Sequence, residues 1–394
     1  MTMNERWLLP EGIEETLPAQ ARRLELLRRA LLDLFSSWGY ELVMPPFIDY
    51  LESLLTGTGK DLDLQIFKLT DQLTGRTMGV RADMTPQVAR IDAHHQDRQG
   101  PVRLCYLGTV LHARPEGLGR SRSPLQVGAE LYGYSGIDSD VEILQLMLQV
   151  LDTAGISDIH VDLGHVGIFR ALARQAGLDD TQESELFDAL QRKARPEIET
   201  RLSALKIDAD VAAMLTALVD LNGAAEVLAD ARKLLKGADG DVLKSLDELQ
   251  AISDALINRG VSVPIHYDLA ELRGYSYHTG AVFAAYVPRH GQAIAQGGRY
   301  DDIGQVFGRA RPATGFSADL KTLMLLSGNA SETVAGIFAP ASADADLLST
   351  VAELRSSGER VIMALPDQAG DAVEMGCDRQ LVNEAGRWTV VPLK

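Results

Sequence analysis

The stretch "RGYSYHTGAVF", Arg273 to Phe283, places an arginine, two tyrosines and a histidine within six residues, and "AQGGRYDDIG", Ala295 to Gly304, follows it closely. A guanidinium suits a carboxylate, while phenols and an imidazole supply directional hydrogen bonds, a mixture too polar for a plain core strand. Alternation along an extended chain puts Tyr275 and Tyr277 on one face with Arg273, and Ser276 and His278 on the other. In the second stretch the paired glycines Gly297 and Gly298 either take positive φ or let a ligand come close to the backbone, with Arg299 and Tyr300 beside them. Taken alone, Gly297 to Asp301 reads as a tight hairpin bend. Taken with its partner, it reads as one side of an amino-acid pocket.

Other chemistries fall away on spacing. "GTGKD", Gly57 to Asp61, has Leu54 where a phosphate loop needs its distal glycine and no Ser or Thr after the lysine, so it reads as a surface turn. His94 and His95 are adjacent and cannot both face one ion from a regular helix or strand, which gives them a solvated or capping role. There is no GxSxG elbow and no HExxH pair. Cys105 and Cys377 lack CxxC spacing, which excludes a disulfide framework or a cysteine zinc site and suits a reducing compartment. No metal site, cofactor site or catalytic residue is expected.

Bulk composition agrees with a large soluble protein. The 394 residues are 46% hydrophobic and 24% charged, with a formal net charge of −17, so the surface field repels phosphate backbones. The first residues, "MTMNERWLLPEGIEE", lack the pattern of a signal peptide, and no apolar run reaches the roughly 20 residues that span a bilayer. The chain reads as cytoplasmic, with no membrane and no nucleic acid as partner.

The elements that must position these residues are legible from periodicity. Leucines and alanines at three- and four-residue spacing make Glu14 to Trp38 an amphipathic helix ending at Gly39. A strand is expected over Tyr40 to Tyr50, where Pro45 and Pro46 suit an edge or a strand end rather than a sheet centre, and "IFKLTDQLTGRTMGVRADMT" reads as a hairpin turning at Thr74 and Gly75. "RLCYLGTVLHA" and "LQVGAELYGY" read as antiparallel neighbours joined by a polar loop. A helix begins near Asp138 or Ser139, and "DIHVDLGHVGIF" reads as a strand leading into a turn. Arg170 to Arg259 is almost wholly helical with no strand-like alternation, after which strand character returns through "PIHYDLAELRGYSYHTGAVFAAYV" and "GQAIAQGGRY". Past the polar linker "GNASET", two strand candidates, a helix from about Ala343 to Ser356 and the strand "RWTVVPL" form a small acidic αβ unit. The pattern predicts the α+β class with a large antiparallel sheet.

At this point a resemblance becomes specific. "RGYSYHTGAVF" and "GGRYDDIG" resemble the two signature peptides of the histidyl-tRNA synthetase family, RGLDYYxRTVFE and GGRYDGL. "GYELVMPPFIDY" resembles the dimer-forming first motif of class II synthetases and "VRADMTPQVAR" the family's LRPEGTxxxxR. "RLCYLGTVLHARPEGLGRSRSPLQVGAELYG" resembles the second motif and "GFSADLKTLMLL" the third. The likeness is collinear from about residue 5 to 330. It implies a class II aminoacyl-tRNA synthetase-like antiparallel sheet flanked by helices: a core over 1–169 and 260–328, a helical insertion over 170–259, and a small C-terminal α/β domain over 333–394.

The resemblance also implies which residues matter. Histidine recognition maps onto Asp83, Thr85, Gln126, Glu130, Arg273, Tyr277 and His278, with two departures: Asp83 stands for a glutamate, and His278 for the family's second tyrosine. The arginines that grip ATP are missing. The motif-two positions fall on His112 and Arg114, or on Leu111 and Ala113 in the other register, and the motif-three position is Thr322. Arg120 and Arg122 are the nearby cations that could compensate. A preserved amino-acid side, a lost ATP side and a curtailed tRNA-binding end are similar to the regulatory subunits of ATP phosphoribosyltransferase. That family implies a short-form catalytic subunit as partner, a dimer through the first motif, a hetero-octamer of four plus four chains, L-histidine as effector, and no tRNA. A divergent synthetase-like enzyme that adenylates a small substrate is the alternative.

Overall fold

The computed structural model describes residues 8–55, 60–95, 98–115, 121–271, 274–275, 277–288, 290–328 and 335–393. Gly57 to Gly59 of the "GTGKD" stretch, Arg120, Arg273 and most of the "GNASET" linker lie outside them. The chain divides into two compact units, Met1–Gly328 and Asn329–Lys394.

The first unit opens with α1 (Pro18–Ser37), which starts on a proline at its first turn and stops where Gly39 takes a left-handed φ of 79°. The expected strand over Tyr40 to Tyr50 is instead two short ones, β1 (Glu41–Leu42) and β2 (Ile48–Tyr50). Pro45 and Pro46 cannot donate to a ladder and separate them. Then come α2 (Leu51–Leu55), α3 (Lys60–Gln65), and the expected hairpin as β3 (Phe67–Thr70) and β4 (Thr77–Val80), turning through Gly75 at φ 72°. Helix α4 (Thr85–His95) leads to the antiparallel neighbours β5 (Val102–Thr109) and β6 (Leu125–Tyr132).

Next are α5 (Ile137–Thr153), β7 (His160–His165) and α6 (Val166–Gln175), which follows β7 without the expected turn because His165 caps it, its Nδ1 accepting from the Gly167 N–H at 3.1 Å. The helical segment continues as α7 (Asp180–Gln191), α8 (Arg195–Ala204) and α9 (Ala209–Ala217). It contains one two-residue strand, β8 (Asn222–Gly223), that the helical composition hid, before α10 (Glu226–Leu234) and α11 (Gly240–Asn258). The unit closes with β9 (Ile265–Asp268), β10 (Ala281–Tyr286), β11 (Ala295–Arg299), β12 (Ala313–Asp319) and α12 (Leu320–Leu326).

Among the described residues the main sheet runs β1-β5-β6-β12-β11-β10-β7-β9-β8. Its centre is antiparallel, as expected, but β1 pairs with β5 and β7 with β9 in parallel, so the sheet as a whole is mixed. Period-two alternation splits its residues between two cores. Val127, Ala129, Leu131, Phe283, Ala285 and Phe316 face α5, α6 and α11 in one continuous apolar core that also takes in the helical segment. Leu104, Tyr106, Tyr132 and Tyr300 face α4 on the other side. Burial of this scale, each large apolar side chain worth about 1.5–3 kcal/mol, is what fixes the register of every central strand.

The second unit holds β13 (Gly336–Ala339), α13 (Ala345–Ser356), β14 (Val361–Met363), β15 (Cys377–Glu384) and β16 (Arg387–Pro392), in the order β14-β13-β15-β16. Its longest strand, β15, went unread because "CDRQLVNE" is mostly polar; Cys377 and Leu381 are its buried residues. No helix among the described residues is long and apolar enough to cross a membrane.

Candidate functional site

The glycines of the second signature lie within β11 rather than at a bend, neither with positive φ. What they provide is closeness. Gly298 sits opposite Gly315 of β12, and Gly315 opposite Glu130 of β6; a Cβ at Gly315 would overlap the Glu130 carboxylate, and one at Gly297 would overlap the Gly315 carbonyl. Adjacent strands thus present bare backbone beside a buried carboxylate, and a cleft opens there. Its lining includes Asp83, Thr85, Glu130, Glu271, Tyr277, His278 and Tyr300, and its volume of about 90 Å³ is far below the roughly 300–1,000 Å³ of sites for drug-sized ligands. A small metabolite fits that scale.

Glu130 is the centre of the site. It is 1% exposed. Its Oε1 accepts from the Tyr106 hydroxyl at 2.9 Å and from Thr85 Oγ1 at 3.2 Å, and its Oε2 accepts from the Tyr300 hydroxyl. Burial pushes the Glu130 carboxyl up to about 8, against the downward pull of these hydroxyls, and the nearby charge of Asp83 adds to the rise. At neutral pH the group largely keeps its proton. A ligand bearing N–H donors supplies what the burial takes away.

Asp83 is held from two sides. Gln126 Nε2 donates to its Oδ1 at 2.7 Å and the Thr85 N–H donates to the same oxygen at 3.0 Å, while Gln126 Oε1 accepts from the Met84 N–H at 2.9 Å. The carboxylate therefore faces the cleft on a fixed backbone turn at the start of α4. With Asp83, Glu130 and Glu271 in the lining and neither lysine nor arginine among its described residues, the cleft is built for a cation or a multiple N–H donor.

The signature tyrosines behave differently from the alternation read in the sequence. Gly274, Tyr275, Tyr277 and His278 are not in a strand. The Tyr277 and His278 N–H groups both donate to the Gly274 carbonyl, at 2.9 and 2.8 Å, and Gly274 holds φ 65°, so the chain turns sharply here. Tyr277 and His278 both reach the cleft, their rings 4.1 Å apart, with Tyr277 5.9 Å from the Tyr300 ring. Tyr275 points into the helical layer instead, against Phe169 and Phe187. Arg299, which the sequence offered as a charge beside the pocket, faces the opposite side of the sheet from its neighbour Tyr300. Its guanidinium is buried against Asp140 at 2.7 Å and Ser139 Oγ at 2.7 Å on α5.

The structure thus brings together Asp83, Thr85, Glu130, Tyr277 and His278, with Gln126 behind Asp83. It adds Tyr106, Tyr300 and Glu271, which sequence reasoning left off the list. Tyr300 was signalled by its place in "GGRYD"; Tyr106 in "RLCYLG" was indistinguishable from core.

On the nucleotide side of the resemblance, Arg122 and Lys321 are spent on the protein itself. Arg122 donates to the His112 and Glu11 carbonyls, each at 3.0 Å, and its guanidinium lies over the Phe67 ring. Lys321 Nζ donates to the Ser123 carbonyl at 2.7 Å. His112 is buried with Nε2 3.0 Å from the Ala82 carbonyl, and Arg114 is exposed. Thr322 Oγ1 donates back to Asp319, the N-cap of α12, at 2.8 Å. None of these positions lines the cleft.

Comparison with known proteins assigns the two parts of the chain to two family models. The family model described as Histidyl-tRNA synthetase matches residues 12–323, and the one described as ATP phosphoribosyltransferase subunit HisZ C-terminal domain matches residues 334–391. The chain is 63% identical to the ATP phosphoribosyltransferase regulatory subunit of Thioalkalivibrio sulfidiphilus, covering 100% of both chains. It is 56% identical to that of Nitrosococcus oceani, over 100% of this chain and 99% of the relative. Among solved structures it is similar to an ATP phosphoribosyltransferase regulatory subunit/histidyl-tRNA synthetase from Bacillus halodurans, with TM-score 0.84 and 28% identity over 95% of this chain and 97% of the other. The histidyl-tRNA synthetase of Nostoc sp. shares the fold, with TM-score 0.79 at 19% identity over 98% of this chain and 97% of the other. The chain belongs to the family of ATP phosphoribosyltransferase regulatory subunits, a non-catalytic family built on the class II histidyl-tRNA synthetase fold.

Proposed function

We propose that this chain activates a short-form ATP phosphoribosyltransferase catalytic subunit and carries feedback inhibition by L-histidine to it, at the first step of histidine biosynthesis. The observation that carries the reading is the Glu130 network. A buried carboxyl ringed by Tyr106, Tyr300 and Thr85 hydroxyls suits an imidazole N–H, and Asp83, fixed by Gln126, suits an α-ammonium. Arg273, outside the described residues, is the residue for the α-carboxylate. The cleft discriminates by leaving its buried acceptors unpaired when the ligand lacks a donor, the kind of penalty that separates close analogues best.

Self-association runs through the first motif. Leu42, Met44, Phe47 and Ile48 are 42%, 79%, 41% and 44% exposed in the single chain, a run of apolar side chains that a second copy would cover. Four such chains with four catalytic chains form the complex. The net charge of −17 leaves tRNA without an electrostatic footing, and the cytoplasm is the compartment that suits two free, buried cysteines.

The test is phosphoribosyl-ATP formation by the short catalytic subunit of the same organism, with and without this chain, across a histidine titration. A rise on addition that histidine reverses, and that Glu130→Ala desensitises while the complex stays intact, supports the reading. Absence of both a complex and a rise sinks it.

A further inference from the structure

The turn that delivers Tyr277 and His278 to the cleft is tied on its other side to α6 and α7. Tyr275 leaves the turn in the opposite direction from Tyr277. Its ring lies 4.9 Å from that of Phe187 and 5.4 Å from that of Phe169, and its hydroxyl donates to Glu183. Arg170 of α6 completes the clasp, its guanidinium 4.7 Å from the Tyr275 ring centre and its Nη2 donating to the Tyr275 carbonyl at 2.6 Å.

Helix α7 holds the same segment again further along. Gln191 Nε2 donates to the Ala270 carbonyl at 3.2 Å, and just past the helix Lys193 pairs with Asp268 at 2.8 Å. Glu183, Phe187 and Gln191 stand four residues apart, so they form one stripe along α7. That stripe meets Ala270 and Tyr275, which flank Glu271 and lead into Tyr277 and His278 of the cleft lining. The first turn of α7 is itself fixed by a capping box between Asp179 and Gln182, so a pull on Glu183 meets a formed helix rather than a fraying end.

We propose that Tyr275 is a positioning residue that couples occupancy of the cleft to α7. It holds the turn so that Tyr277 and His278 meet the ligand, and it passes any displacement of that turn to the Glu183–Phe187–Gln191 stripe. The inference rests on the reading of the cleft as the histidine site. Linkage requires reciprocity: whatever histidine does to α7, immobilising α7 does to histidine affinity by the same factor.

The experiment is amide hydrogen exchange of the full-length chain with and without histidine, paired with calorimetric titration of histidine. In the wild type, histidine slows exchange across the first turns of α7. Tyr275→Phe keeps the ring packing and removes only the hydroxyl; it is expected to weaken histidine about tenfold and to abolish the response of α7. Glu183→Ala reproduces that pair of losses, and Glu183→Gln, which still accepts the phenol proton, restores most of both. If the wild type binds histidine while α7 stays silent, or if Tyr275→Phe leaves affinity and response unchanged, the coupling is refuted and the pocket reading stands. If the wild type binds no histidine, the pocket reading falls and takes the coupling with it.

Discussion

The Tyr106 hydroxyl donates to Glu130 Oε1 at 2.9 Å by reaching over Gly128, the residue directly opposite Tyr106 in the β5–β6 ladder. A side chain at 128 would run into the phenol and into the Phe316 carbonyl of the next strand. The central hydrogen bond of the site therefore depends on an atom that is missing.

Gly128→Ala tests this dependence. The Phe316 carbonyl belongs to the β6–β12 ladder and cannot yield cheaply, so overpacking is expected to cost about 1–3 kcal/mol of stability. Histidine affinity should fall about tenfold or more as Tyr106 turns away from Glu130. Urea unfolding and calorimetric titration measure the two. Wild-type affinity in a folded variant would show that the Tyr106 bond does nothing for the ligand.

The raised Glu130 carboxyl makes stability depend on pH in a definite direction. Its value rises from the ordinary 4.5 to about 8 on folding, so between those values the native chain binds more protons than the unfolded one. Its contribution to stability is then lost as pH climbs through that window, at up to about 1.4 kcal/mol per unit, and levels off above it. Glu130→Gln removes the titration, so the stability of the variant relative to wild type should increase from pH 5 to pH 8. Parallel curves from urea midpoints at each pH would contradict the assignment.

Arg299 and Asp140 form a buried pair at 2.7 Å, whereas Asp301, 3.3 Å from the same guanidinium, is far more exposed. Removing one partner of a buried pair strands the other charge, so Asp140→Ala is expected to cost about 3–5 kcal/mol. Asp301→Ala should cost much less, about 1 kcal/mol or below for its ion pair, together with the bond from the Ala313 N–H. Chemical denaturation of both variants decides the order; a reversal would mean that Arg299 is not held by α5.

Nucleotide chemistry should be absent and not readily restored. The purified chain is expected to show no histidine-dependent ATP–pyrophosphate exchange. Thr322→Arg should not rescue it, because the new guanidinium would sit beside Asp319 while Arg122 and Lys321 remain bound to backbone carbonyls. Exchange of labelled pyrophosphate measures this directly, and any turnover by the wild type would overturn the reading.

The sequence revealed the frame better than the turns. Long periodic stretches such as α5 and the β5–β6 pair were legible because burial repeats at fixed spacing over many residues. Asp83, Thr85, Glu130, Tyr277 and His278 were legible only through their resemblance to a known family, since nothing in their spacing brings residues 83, 130 and 277 together. Two local readings failed for physical reasons. Alternation was applied to Tyr275 and Tyr277 as though the chain were extended, but the left-handed Gly274 bends it and sends the two phenols apart. Arg299 was read as a charge beside the pocket because of its neighbours in the sequence, yet period-two geometry assigns it to the helix face, where Asp140 awaits it. The polar strand β15 carried too few apolar residues to announce itself.

The bare backbone at Gly297 and Gly315 also sets a direction for redesign. A floor made of absent side chains offers nothing to trim, so the cleft cannot be deepened by substitution from below. Room for a bulkier effector has to come from the Tyr277 and His278 wall, where both rings can be shortened. On the proposed reading of the cleft, a biosensor tuned to histidine analogues would therefore be selected from libraries at those two positions, with the glycines left as they are.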